Sequence, residues 1–221
     1  MDKLEEKYPV PEHAAKEYEE AVALIGEMEM EAAAEILERL AELEPEHPRI
    51  AATLGLVYFR LKELKKAEGI LLKLLERGLS FAEVHSHLSA VYSWSGQMEE
   101  AAKHAEIALR LNPKSPEVWT ASGLCHAFDG DYEGALDYFL AAYSMDSEFL
   151  VAAYNAACTY AVLGKPERAL CYLEKALGSK YFIVNAWNDP DFDSIRDTAD
   201  FKTLVSSAEK RFHKTENSVP N

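Results

Sequence analysis

Alanine recurs along this chain at a fixed interval: Ala33, Ala67, Ala101, Ala135 and Ala169 each lie 34 residues apart. The surrounding pattern recurs with it. Twelve residues before each alanine stands a small residue: Ala21, Gly55, Ser89, Gly123 and Ala157. Three beyond that position come Leu24, Tyr58, Tyr92, His126 and Tyr160. Four after each alanine come Leu37, Leu71, Ala105, Phe139 and Leu173, and three further on Leu40, Leu74, Ala108, Ala142 and Ala176. Steps of three and four mark one face of a helix. Two such faces in each period predict two antiparallel helices, A then B. Small residues are expected where A and B cross, and large ones against the next pair. One pair cannot bury its apolar face alone, so neighbours must stack.

The punctuation agrees with this phase. Gly96, Gly130 and Gly164 fall at the A-to-B turn, where a residue of positive φ ends a helix. Pro48 and Pro116 open A helices, and Pro166 opens a B helix, where the missing N–H costs nothing. Pro45 and Pro113 close the preceding B helices.

The spacing W-x2-L-G-x2-Y, then A-x3-F, then A and P, resembles the tetratricopeptide repeat. The copy at 116–149 carries it best, with Trp119, Gly123, Ala135, Phe139 and Ala142, and departs from it at Ser122, His126 and Ser147. The copy at 14–47 is the most degenerate, with Glu17 and Glu20 at usually apolar positions. The resemblance implies an all-α fold: a right-handed superhelical solenoid of antiparallel helix pairs. Five repeats are expected at 14–47, 48–81, 82–115, 116–149 and 150–183. An N-terminal arm would precede them at 1–13. Capping helices would follow at 184–212, with a flexible polar tail at 213–221. The capping stretch resembles the closing segment of many bacterial proteins of this family. Its motif reads here as Ala157-Cys158-Thr159-Tyr160-Ala161, then Asp189-Pro190-Asp191-Phe192-Asp193-Ser194-Ile195-Arg196, then Phe201.

Charge changes the picture of partners. The net charge is −15, which disfavours nucleic acid and anionic membranes. It is unevenly placed: −11 over residues 1–47, +4 over 48–81 and −8 over the rest. The acidic first repeat serves as a polar outer face or as a dock for a basic partner. No apolar run approaches a membrane span, and the charged MDKLEEKYPVPE start lacks a signal-peptide core, so a cytoplasmic location is expected. Cys125, Cys158 and Cys171 have no CxxC spacing and are read as small buried hydrophobes.

Candidate chemistry is sparse. No phosphate-cradling loop, GxSxG elbow or HExxH is present, so neither an enzyme nor a cofactor is expected. Asp189, Asp191, Asp193, Asp197 and Asp200 occupy positions 1, 3, 5, 9 and 12 of a calcium loop, but Ser194 replaces its essential glycine and Pro190 follows Asp189. Helix capping by Asp189, and by Asp197 or Thr198, is the favoured reading. His85 and His126 stand at aromatic core positions. A metal site built from them with His87 and His104 lacks a known ligand spacing.

In the family the resemblance points to, the A helices line a concave, protein-binding groove. Carried over, its lining includes Tyr18, Val22 and Ile25; Arg49, Leu56, Phe59 and Arg60; Ser86, Ser93 and Trp94; Thr120, Leu124 and Phe128; and Tyr154, Cys158 and Val162. His87, Ala121 and Asn155 stand at a neighbouring position. One subgroup of the family holds the acidic C-termini of heat-shock chaperones through Lys, Asn and Arg. Here Tyr18 and Val22, Ala52 and Leu56, and Ser86 and Ala90 stand at the corresponding places, which disfavours that role. A lining with Phe59, Trp94 and Phe128 suits an apolar peptide or amphipathic helix of another protein, unless those rings pack between helices. The leading expectation is a non-enzymatic interaction adaptor or assembly factor. The alternatives are a self-associating scaffold, with homo-oligomers, and a chaperone-like holder of a secreted or membrane-complex subunit.

Overall fold

The computed structural model of the chain describes residues 4–216, with side chains from 4 to 212. Among them are thirteen α-helices and no strand. They are α1 Leu4–Lys7, α2 Glu12–Glu27, α3 Met30–Leu43, α4 Pro48–Arg60, α5 Leu64–Glu76, α6 Ala82–Trp94 and α7 Met98–Leu111. Then follow α8 Pro116–Phe128, α9 Tyr132–Met145, α10 Leu150–Val162, α11 Pro166–Ala176, α12 Lys180–Asn188 and α13 Ala199–Glu216. A 3-10 turn at Pro190–Phe192 separates the last two. The chain forms two compact units, Met1–Asp129 and Gly130–Asn221. The expected boundary between the fifth repeat and the cap, at 183/184, falls inside α12, because Ser179 interrupts the chain first and a new helix starts at Lys180. Of the expected tail, the backbone is helical as far as Glu216, and 217–221 lie outside the described residues.

The periodic positions are the core. All five alanines of the ladder are fully buried, as are Ala21, Ser89 and Ala157 at the small position. In the first unit α2 pairs with α3, α4 with α5 and α6 with α7, and α4, α6 and α8 lie side by side. At Gly55 a Cβ would stand 2.9 Å from the Leu71 side chain, so α4 and α5 meet over a bare backbone. In the second unit α10 pairs with α11 and packs on α9, and the 3-10 turn lies against α10. Phe192 and Phe201, both fully buried and 5.6 Å apart, tie that turn to α13.

One turn geometry serves successive hairpins. Gly96, Gly130 and Gly164 have φ of +74°, +84° and +67°. The equivalent positions in the first two repeats are Met28 at +68° and Lys62 at +62°, the two non-glycine residues of positive φ among those described. In four of these turns the next residue's N–H returns to the large residue of the A helix. Glu29 bonds Leu24, Glu63 bonds Tyr58, Gln97 bonds Tyr92 and Lys165 bonds Tyr160, each at 2.9 Å. These bonds satisfy carbonyls that the helix end leaves open. Starts are capped locally: Ser115 Oγ accepts from Val118 N, and Asp131 Oδ1 from Gly134 N.

The N-terminal arm is structured from Leu4. Leu4 is buried in a cluster with Ala52, Phe81, Val84 and Leu88. The Tyr8 ring meets Phe81 edge-on at 5.9 Å, and Glu5 approaches Arg49 at 3.9 Å. His47, with its proton on Nε2, donates to the Pro9 carbonyl, while its Nδ1 accepts from Ile50 N.

Two stability changes follow. Gly55→Leu should cost about 1–3 kcal/mol by overpacking against Leu71, read from the urea midpoint. Met28→Gly relieves a left-handed non-glycine residue and should add about 0.5–1 kcal/mol in the same measurement.

Candidate protein-interaction site

The ten residues assigned to the groove fall into three sets. Val22, Trp94 and Phe128 are exposed, with Trp94 at 47% and Phe128 at 43%. Leu56, Phe59, His87, Leu124 and Asn155 are half-buried. Tyr18 and Tyr154 are buried.

The exposed set has an organised centre in the first unit. Phe59, near the end of α4, meets Trp94, at the end of α6, with centroids 6.3 Å apart and rings nearly perpendicular. Trp94 meets Phe128, at the end of α8, at 5.7 Å. The result is a row of three edge-to-face rings, one from each of three neighbouring A helices, an arrangement that the ring quadrupoles favour. The Lys62 ammonium lies 5.1 Å from the Trp94 centroid. Lys62 was not among the expected site residues. The phase marks Lys62 as the turn position equivalent to Gly96, Gly130 and Gly164, but not its contact with Trp94.

The two buried tyrosines are otherwise engaged. The Arg49 guanidinium lies 4.9 Å over the Tyr18 ring. The Tyr18 hydroxyl meets Thr53 Oγ1 at 2.7 Å, and Thr53 in turn donates to the Arg49 carbonyl. In the second unit Tyr154 stacks on Phe182 at 4.7 Å and donates to Asp189 Oδ2 at 2.9 Å. Cys158 Sγ lies 3.7 Å from the same oxygen, and Ser194 donates to the Ala161 carbonyl. The closing segment thus covers Tyr154 and Cys158 on α10, while Val162 stays exposed.

Asp189 and Asp191 do converge, but with Cys158 and not with the other aspartates; one ligand atom from each of the three lies within 4.8 Å of the others. This is the one such group among the described residues. Burial, with the Asp189 charge next, pushes the Cys158 thiol up. Burial likewise raises Tyr154, and burial with Asp189 raises Asp191. Asp189 Oδ1 caps the 3-10 turn by accepting from Asp191 N, and Thr198 Oγ1 caps α13 by accepting from Phe201 N. Asp193 pairs with Arg196 and Asp197 with Lys202, so the five aspartates do not share a centre.

Cysteine and histidine positions need some correction. Cys125 and Cys158 are buried, but Cys171 is exposed, because it sits on the outer face of α11 between Leu170 and Tyr172. His126 is half-buried, not a core residue. His85 is buried, and its Nδ1 lies 2.8 Å from Nδ1 of buried His104, with Ser80 Oγ 2.9 Å from its Nε2. With both rings neutral, one Nδ1–H donates and the other Nδ1 accepts. Burial pushes His85 down to about 4, helped by His104 beside it. Burial also lowers His104, against the pull of Glu100. His87 is lowered to about 4 by burial and by Arg60.

A stack of helix pairs with an uncovered aromatic face defines a class: repeat proteins that act as protein-interaction modules. Residues 24–91 and 95–148 match two family models, each described as tetratricopeptide repeat, and the chain belongs to that family. Its fold is the all-α solenoid of that family. Over 82 residues the chain is 37% identical to the heat-shock protein cognate (HSC) co-chaperone sgt12 of Aspergillus fumigatus; the match covers 35% of this chain and 23% of that protein. TTC0263, a thermophilic TPR protein of Thermus thermophilus, superposes with a TM-score of 0.69 at 19% identity, over 89% of this chain and 99% of that one. MamA from Desulfovibrio magneticus RS-1 (residue 41 to the end) gives 0.51 at 16% identity, over 76% and 95%. At these identities the likeness is one of fold. No helix among the described residues is long and apolar enough to cross a membrane.

The histidines make the first unit acid-sensitive. Their folded-state values lie below the ordinary 6.5, so the unfolded chain binds protons first. Stability should be full above about pH 6.5 and decline toward pH 4. Urea midpoints across this range should fall less steeply in His85→Phe/His104→Leu. Some slope should remain, because His87 titrates in the same window.

Proposed function

We propose that this chain is a non-enzymatic interaction adaptor that holds an apolar peptide or amphipathic helix of another protein against the A-helix face of its first unit. The observation that carries this reading is the row Phe59–Trp94–Phe128, two of whose rings are exposed over nearly half of their surface. Large rings left in water at adjacent helix ends are costly unless a partner covers them, and aromatic anchors dominate binding energy at interfaces. Leu56 and Leu124, half-buried on α4 and α8, extend the apolar lining. The chain matches only part of the co-chaperone, and Ala52, Leu56, Ser86 and Ala90 do not supply a clamp for an acidic C-terminus.

Trp94→Ala with Phe128→Ala should weaken partner capture by more than about thirtyfold while leaving the helical circular dichroism unchanged. Affinity capture from the native cell, with mass spectrometry, reads the loss. Undiminished capture would place the binding surface elsewhere. Light scattering over a concentration series separates a self-associating scaffold, which alone predicts growth.

A further inference from the structure

One end of the aromatic row carries positive charge, in a protein whose net charge is −15. Residues 48–81 carry a local excess of +4, and two of its cations, Arg60 and Lys62, stand at the α4 end of the row. Arg60 is exposed and forms no ion pair among the described residues; it follows Phe59 directly. Lys62 lies against the Trp94 ring. In the first repeat Glu17 pairs with Arg39 and Glu46 lies near Arg77, and neither reaches Arg60 or Lys62.

The other half of the same helix shows what such a face accepts. Along α4, Arg49 and Ala52 are covered by the molecule's own α1. That cover consists of a buried leucine, Leu4, with an adjacent carboxylate, Glu5, reaching the Arg49 guanidinium. Further along α4 the same combination of apolar surface and arginine recurs as half-buried Leu56 and Phe59 and exposed Arg60, where α1 does not reach. The uncovered half is continuous with the covered one, and its charge complements the same kind of occupant.

From this complementarity we infer that the partner segment is an amphipathic helix whose apolar anchors are flanked by carboxylates. The anchors lie on Trp94 and Phe128, and the carboxylates face Arg60 and Lys62. This rests on the adaptor reading above and deepens it. It differs from recognition of a chain-terminal carboxylate, since the energy comes from the apolar stripe and the flanking acids set orientation and choice of partner.

The test uses the full chain and two synthetic amphipathic helices with one apolar stripe of leucine and phenylalanine. One has glutamate flanks and the other has lysine flanks. Isothermal calorimetry at low salt should show the glutamate peptide binding at least about tenfold more tightly, with the gap closing as salt screens the pairs. Arg60→Glu with Lys62→Glu, both exposed positions, should reverse the preference. Trp94→Ala with Phe128→Ala should abolish binding of both peptides. Equal binding of the two peptides, or preference for lysine flanks, overturns the charge inference and leaves the apolar-face reading standing. Binding of neither peptide overturns both.

Discussion

A helical hairpin with an apolar stripe on each side cannot hide both stripes by folding on itself. Every feature of this molecule answers that constraint. The A and B helices approach until side chains at the crossing must vanish, which is why Gly55 leaves no room for a Cβ and why the alanine ladder is fully buried. Close approach within a hairpin leaves its outer faces apolar, and those faces demand a neighbour. The ends must then be sealed by something that is not another hairpin. In the first unit the acidic first repeat faces water, and in the second α12, the 3-10 turn and α13 lie over the α10–α11 pair.

The same constraint shapes the proposed interaction surface. Where A helices lie side by side, their ends carry side chains that are not consumed by the crossing. Phe59, Trp94 and Phe128 are such residues, and they meet each other because their helices are neighbours. Packing thus supplies the row, and exposure leaves it available. The chain also covers parts of its own lining. Tyr18 disappears beneath Arg49, and Tyr154 beneath Phe182 and Asp189.

Much of this was legible in the sequence, for physical reasons. Buried positions repeat because helix geometry repeats, so the phase read from Ala33 to Ala169 locates the core and the turns. The aromatic row was legible as a lining but not as a set of ring contacts, because contact depends on the spacing between helices. Three features escaped for a shared reason: they join residues with no fixed sequence separation. The His85–His104 pair crosses from α6 to α7. Cys158 meets Asp189 and Asp191 from α10. Leu4 reaches its cluster from outside the period. Periodicity describes what each repeat shares, and these contacts are what particular repeats do not share.

The position of Asp189 has a consequence for growth of an assembly. Its carboxylate accepts from Tyr154 and caps the turn that lies on α10, with Phe192 wedged beside it. The helix pair that would template a further hairpin is therefore already taken, by a segment with a different pattern. A further hairpin stacked on α10 and α11 would first have to displace this latch.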